Sequence, residues 1–136
     1  MKRLSYFMCI IAVVIVLYSC SDNEDLIGKW DDNIKLSTKA VEFDANDDSV
    51  TITTEGDNWW VTDVTVNSES FHVIESIDIE SDNYSIKYDC FVVERRDKNT
   101  LFVKVEENQL NTQRVITIGL EAGDYFDRVT ITQAAK

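Results

Sequence analysis

The sequence predicts an all-β fold, an antiparallel β-sandwich of seven to nine short strands. From Ile34 onward apolar residues alternate with polar ones, which is the period of a half-buried strand, and no stretch has the period of an amphipathic helix. Clusters of turn-forming residues recur at a spacing of about 8 to 12 residues. The length of 136 residues fits one domain and excludes the larger barrel folds.

The predicted strands follow one another with polar turns between them. The alternation marks segments at 34–36, 41–43, 50–52, 59–66, 71–79, 84–92, 101–105, 116–120 and 129–131. Residues rich in Asp, Asn and Gly separate them at 44–48, 55–58, 81–83, 97–99, 107–108 and 122–124. The alternation through 84–92 has no break, so that segment is predicted as one strand.

The N-terminus predicts export and lipidation. Lys2 and Arg3 precede a 14-residue, mostly apolar stretch at 4–17, shorter than the ~20 residues that a permanent span needs. The segment Leu17-Tyr18-Ser19-Cys20 resembles the bacterial lipobox, in which a small residue precedes the cut and a cysteine thiol takes the lipid. Residues 1–19 are therefore predicted as a signal peptide and Cys20 as the lipidation site that attaches the chain to a membrane. An ordinary signal peptide or short anchor with an incidental cysteine is the alternative.

The predicted tether, residues 20–33, is polar and acidic. Its run Ser21-Asp22-Asn23-Glu24-Asp25 resembles the surface-export signal of lipoproteins from Bacteroidetes-type bacteria. An outer membrane lipoprotein exposed at the cell surface is predicted, with a periplasm-facing one as the alternative. Because Cys9 leaves with the signal and Cys20 is lipidated, Cys90 is left without an internal disulfide partner and is expected to be a small core residue.

The composition excludes one class of partner. The chain carries 25 acidic residues against 13 basic ones, a net charge of −12. Nucleic acid is not expected as a partner, because phosphates require a basic face. The clump Arg95, Arg96 and Lys98 is expected at an exposed hairpin tip, where it is surface charge or a contact for acidic glycans.

Several segments resemble one family. Val50-Thr51-Ile52-Thr53 and Gly56-Asp57-Asn58-Trp59-Trp60-Val61 resemble the BACON (Bacteroidetes-associated carbohydrate-binding, often N-terminal) domain. The C-terminal strands resemble it again, and the chain closes on Val129-Thr130-Ile131-Thr132-Gln133-Ala134-Ala135. The resemblance covers roughly residues 34–135, so 34–136 is assigned as a BACON-like domain. It implies an immunoglobulin-like (Ig-like) sandwich that binds carbohydrate or mucin.

Two adjacent tryptophans are the first candidate ligand contacts. Trp59 and Trp60 lie on one predicted strand and must point to opposite faces. The family pattern places Trp59 inward with Val61, whereas the phase of Val64 places Trp60 inward. A β-bulge near Thr62-Asp63 would reconcile the two phases. The outward indole is a platform for the apolar face of a sugar, unless both rings are packed.

Four further aromatic residues are candidate ligand contacts, namely Trp30, Phe102, Tyr125 and Phe126. Phe102 is out of phase with its apolar neighbours and is expected to face away from the core. Tyr125 and Phe126 follow the Gly123-Asp124 turn. Apolar walls with a few polar groups suit a glycan, although scattered exposed aromatics are also common on protein surfaces.

The sequence predicts no enzyme, no cofactor and no metal site. His72 is the only histidine, and no Gly-x-Ser-x-Gly elbow accompanies it. Asp44, Asn46 and Asp48 have the spacing of a calcium loop, but Ser49 stands where the loop needs glycine, which leaves a loosely held surface Ca²⁺ or a solvated turn. The predicted function is a non-catalytic surface module that binds glycan or mucin; the alternative is a protein-interaction subunit of a surface assembly.

Overall fold

In a computed structural model, residues 31–71 and 77–136 are described, and they form nine strands. The strands are β1 (Ala40–Phe43), β2 (Asp48–Thr53), β3 (Trp60–Val66), β4 (Glu69–Phe71), β5 (Tyr84–Tyr88), β6 (Phe91–Arg96), β7 (Thr100–Val105), β8 (Arg114–Ala122) and β9 (Tyr125–Gln133). The predicted all-β fold is confirmed. No helix within these two ranges is long and apolar enough to cross a bilayer.

The strands form two sheets. One has the order β1-β9-β8-β3-β4 and the other the order β2-β7-β6-β5. The order β9-β8-β3 facing β2-β7-β6 is that of the G-F-C and B-E-D strands of an Ig-like sandwich. One pair departs from the predicted antiparallel pattern, because β1 runs parallel to β9. The outer edge of the first sheet is formed by this short parallel strand.

The core lies between the sheets, as the alternation predicts. In β8 every second side chain from Arg114 to Ala122 is buried, and β7 shows the same pattern. The intervening side chains of β8 and β9 form the outer face of the first sheet. The fully buried apolar side chains include Ile34, Ile52, Val61, Val64, Val93, Leu101, Val103, Ile116, Ile118, Leu120, Val129 and Ile131.

The segment 84–92 is not one strand, contrary to the prediction. It turns at Asp89 and Cys90, where Tyr88 pairs with Phe91 across the hairpin. Even-numbered residues such as Ile86 face the core before this two-residue turn, and odd-numbered residues face it afterwards. Phe91 is therefore buried and Val92 faces outward. Val92 is apolar and continues the alternation, which hides the turn in the sequence. Cys90 therefore lies half-buried in the turn, where it packs against the core instead of inside it.

Buried polar side chains close both ends of the sandwich. At one end the Arg95 guanidinium donates to the backbone carbonyls of Asp57, Ser81 and Lys98. At the other end Gln133 donates to the carbonyls of Asn46 at 2.8 Å and Glu106 at 3.1 Å. These contacts hold the loops at each end and leave the sheet faces as the open surfaces.

Candidate functional site

Trp59 lies in the core, not on a binding surface. Its exposed fraction is 1%, its Nε1 donates to the Thr54 hydroxyl at 3.0 Å, and the Arg95 guanidinium lies 4.7 Å from the ring centroid. The prediction that Trp59 is a candidate ligand contact is therefore wrong, because its indole points into the core.

The predicted bulge in β3 is present. Val61 pairs with Leu120 and Asp63 with Gly119, so Thr62 is the extra residue. Thr62 and Asp63 are both turned away from the core, while Val61 and Val64 are fully buried. Trp60 precedes Val61 and so lies on the outer face, where it is half-buried. The bulge thus resolves the phase conflict and presents two consecutive polar side chains on one surface.

The outer face of the first sheet brings Trp60 and Phe126 into one row. Trp60 on β3 and Phe126 on β9 both pair with Glu121 on the intervening strand β8. Two strand spacings separate the two aromatics, about 10 Å. The adjacent row consists of Asp63, Gly119 and Arg128.

A groove of about 490 Å³ lies over the row of Asp63, Gly119 and Arg128 and extends to Phe126. Gly119 forms part of its floor, and a side chain at that position would collide with the Asp63 carboxylate. Phe126 forms part of the wall and is 65% exposed. The lining residues are Thr62, Asp63, Thr65, Ser68, Thr117, Gly119, Leu120, Phe126, Asp127 and Arg128.

The groove contains polar groups with unused hydrogen-bonding capacity. Asp63 Oδ1 accepts from the Thr62 hydroxyl at 3.0 Å. Within residues 31–71 and 77–136, Asp63 Oδ2 accepts no hydrogen bond, and the Arg128 guanidinium makes neither a hydrogen bond nor an ion pair. The arrangement therefore offers a carboxylate acceptor and a guanidinium donor on either side of a glycine.

Tyr125 does not share the groove with Phe126. Successive residues of β9 alternate in direction, and the Tyr125 hydroxyl donates to Asp127 Oδ2 at 3.2 Å. Lys39 Nζ lies 2.7 Å from the same carboxylate and 3.4 Å from Asp32. The hydrogen bond to Asp127 raises the pKa of Lys39, and burial together with Asp127 raises the pKa of Tyr125. Tyr125 belongs to a polar cluster at the groove margin.

Phe102 lies on the opposite side of the sandwich. It faces away from the core, as predicted, on the outer face of the second sheet. The Arg96 guanidinium stacks over its ring at 3.8 Å from the centroid and pairs with Glu94. The ring face is therefore covered by the protein's own side chain, and Phe102 is far from Phe126.

Two features differ from what the sequence indicates. Arg95 is 4% exposed and holds loops, so it is not part of an exposed basic clump. Phe71, Tyr88 and Phe91 form an aromatic cluster, with ring centroids 4.5 Å apart for Phe71 and Tyr88. Sequence reasoning missed this cluster, because the hairpin turn that brings the rings together is hidden by the continuous alternation.

Some predicted features fall elsewhere. Cys20, residues 1–19, Trp30 and His72 lie outside the described residues. Within the described ranges no three His, Cys, Asp or Glu side chains are grouped so as to hold a metal ion. In the Asp44–Asp48 loop, Asp44 Oδ1 accepts from the backbone N–H of Asn46 at 2.8 Å, which is a turn-stabilising contact.

Comparison with known proteins identifies the fold. An NMR structure of a protein from Bacteroides thetaiotaomicron matches with a TM-score of 0.63 at 20% identity, covering 78% of this chain and 90% of that chain. The likeness is one of fold. A Bacteroides ovatus GH5 xyloglucanase, solved in complex with a XXXG heptasaccharide, matches with a TM-score of 0.47 at 19% identity, over 76% of this chain and 19% of that chain. No protein-family model matches the sequence, and no curated protein matches it significantly.

Proposed function

We propose that this chain is a BACON-type, non-catalytic module of a cell-surface lipoprotein, and that it binds glycan through the groove on the first sheet. One observation carries the proposal: a largely exposed phenylalanine borders a glycine-floored groove that also contains the Asp63 carboxylate and the Arg128 guanidinium, and among the described residues Asp63 Oδ2 and this guanidinium make no hydrogen bond. Isolated exposed aromatics are common, but this one adjoins a formed concavity.

The chemistry of the groove suits a polyhydroxylated ligand. Aromatic rings present an apolar face with a negative quadrupole, which complements the C–H face of a pyranose. Asp63 accepts and Arg128 donates, and hydrogen bonds to charged groups are about twice as strong as neutral ones. Trp60 lies two strands from Phe126 in the same row and provides a second apolar contact.

The test is a binding titration that follows intrinsic tryptophan fluorescence. The full chain, in a detergent without a sugar headgroup, is titrated with mucin and with soluble polysaccharides. We expect a saturable change for at least one glycan, and a loss of about tenfold or more in affinity for Phe126→Ala, because truncating an aromatic contact removes about 1–3 kcal/mol.

Phe102→Ala is the matched control. It removes the same side chain from the opposite face of the sandwich, so glycan affinity should not change. Equal losses in both variants, or no saturable change with any glycan, would contradict the proposal.

The anchor and the location are part of the same proposal. Lipidation at Cys20 would attach the domain to the outer membrane, and two or three acyl chains make such attachment effectively permanent. The acidic tether favours surface display over the periplasm-facing alternative. Palmitate labelling that persists in Cys20→Ala would overturn the anchor.

A second candidate function is a protein-interaction subunit. It is favoured by Tyr88, which is 38% exposed and packs edge-on against Phe71 of the short edge strand β4. Exposed aromatic residues beside an unpaired sheet edge are typical of protein contacts. Co-purification of a surface protein that is lost in Tyr88→Ala but retained in Phe126→Ala would support this alternative.

A further inference from the structure

The charges around the groove are unbalanced. Asp63 lies in the groove and Glu121 lies in the next row, whereas the carboxylate of the lining residue Asp127 belongs to the Tyr125 cluster. Of these carboxylates, only Asp127 has an ion-pair partner among the described residues, Lys39 at 2.7 Å. Arg128 is opposed by more than one carboxylate, so the surface that a ligand meets is net negative.

The lining residues of the groove extend along β8 from the row of Thr117 to the row of Phe126. Thr117 and Gly119 form its floor, and Ser68 lines the end remote from Phe126. The five residues from Thr117 to Glu121, which stands in the row of Phe126, are four steps along the strand, or about 14 Å at a rise of about 3.4 Å. Side chains of β3 form one wall and side chains of β9 the other. Such a channel fits a linear chain better than a compact ligand.

We propose that the groove selects an uncharged, linear polysaccharide whose chain lies along β8, with Asp63 as the specificity-determining residue. This inference rests on the proposed function. The Thr62 hydroxyl fixes the Asp63 carboxylate through Oδ1, which leaves Oδ2 to accept from a ligand hydroxyl. An anionic substituent at that place is repelled, and a neutral hydroxyl is bound.

The test compares polysaccharides that share a backbone and differ in charge. The full chain is titrated with hydroxyethyl cellulose and glucomannan as neutral probes, and with carboxymethyl cellulose and polygalacturonate as anionic ones. We expect the neutral probes to bind, and carboxymethyl cellulose to bind about tenfold more weakly than hydroxyethyl cellulose. The ratio should shrink as the salt concentration rises from about 0.05 M to about 0.5 M, because salt screens the repulsion.

Two variants test the role of Asp63. Asp63→Asn keeps the shape and removes the charge, so the neutral-to-anionic ratio should fall toward one, with weaker binding of the neutral probes. Gly119→Ala displaces the Asp63 carboxylate by steric contact and should weaken neutral binding about tenfold. Asp89→Asn is the control, since it removes an equal charge at the exposed turn between β5 and β6.

The outcomes separate the inference from the proposed function. Tighter binding of the anionic probes, or the same selectivity in Asp63→Asn as in Asp89→Asn, would overturn the inference while glycan binding stands. No binding of any probe, with Phe126→Ala indistinguishable from the parent chain, would overturn both.

Discussion

At the scale of single residues, Arg95 and Arg96 show how a strand separates two neighbours of one type. Arg95 faces inward and stacks on Trp59, whereas Arg96 faces outward and stacks on Phe102. Only the parity of β6 decides this difference, and that parity depends on the turn at Asp89 and Cys90. The sequence shows the basic clump but not which arginine is buried.

We expect Arg95→Met to lower the free energy of unfolding by about 3 kcal/mol. It removes the hydrogen bonds of a buried guanidinium to three backbone carbonyls and its contact with the Trp59 ring. Urea unfolding measures the effect. Arg96→Met is the control and should change stability by less than about 1 kcal/mol, because its ion pair with Glu94 is solvent-exposed. Equal effects would show that the buried network contributes nothing specific.

Gln133 is a polar residue at a core position, the last residue of β9. It is fully buried, and its Oε1 accepts from Arg114 Nη1 at 2.9 Å while its Nε2 donates to backbone carbonyls. Gln133 and Arg114 therefore have a structural role at this end of the sandwich.

We expect Gln133→Leu to lower the free energy of unfolding by about 2–4 kcal/mol, because Arg114 and two or more carbonyls lose partners at a buried position. Glycan affinity, measured on the folded fraction, should stay unchanged. A loss of affinity with unchanged stability would instead assign Gln133 to binding.

At the scale of elements, the bulge in β3 serves the surface rather than the core. Without Thr62 the strand would alternate regularly, with Val61 opposite Leu120 and Asp63 opposite Gly119 as they already are. The extra residue therefore changes which side chains reach the groove without changing the register of the buried ones. Next to the bulge, the backbone N–H of Val61 donates a hydrogen bond to the Tyr84 hydroxyl at 2.9 Å.

We expect deletion of Thr62 to preserve the fold, with a change in unfolding free energy of no more than about 1 kcal/mol. Glycan affinity should fall, since Asp63 loses the hydroxyl that holds it. Deletion of Thr65 is the contrasting variant: it turns Val64 and Val61 toward solvent, which should abolish cooperative unfolding. Circular dichroism and urea unfolding distinguish the two, and equal disruption by both deletions would show that the bulge is needed for folding.

At the scale of the whole molecule, alternation along the chain carries nearly all the information about layers. It predicts the sandwich and the outward direction of Phe102, whereas the bulge in β3 is expected only because the phase of Val64 conflicts with the inward Trp59 that the family resemblance implies. It does not predict the groove, because Asp63, Gly119 and Phe126 come from three strands and meet only through the register between them. Alternation along the sequence shows which face of a sheet each side chain lies on. Which side chains are neighbours across strands depends on the strand pairing, which a single sequence does not show.

The fold also joins the start of the described domain to the groove wall. Asp32 Oδ1 accepts from the backbone N–H of Lys35 at 2.7 Å, and Lys39 bridges Asp32 and Asp127. Burial alone would raise the pKa of Asp32, but the Lys35 hydrogen bond and the Lys39 charge outweigh it, so the pKa is lowered.

A lowered pKa in the folded state stabilises the fold above the unfolded-state value near 3.8, and the contribution is lost as the pH falls through the lower folded value. The pKa of Lys39 is raised, so its contribution is complete below 10.5 and is lost only at higher pH. We therefore expect Asp32→Asn to be less stable than the parent chain by a constant amount from about pH 5 to pH 9, with the difference shrinking as the pH falls below 3.8. Absolute stabilities also change with pH, because the excess of acidic residues repels itself. Asp31→Asn, which carries the same net charge as Asp32→Asn, corrects for that effect, and a pH-independent gap between the two variants would assign the role of Asp32 to its backbone hydrogen bonds alone.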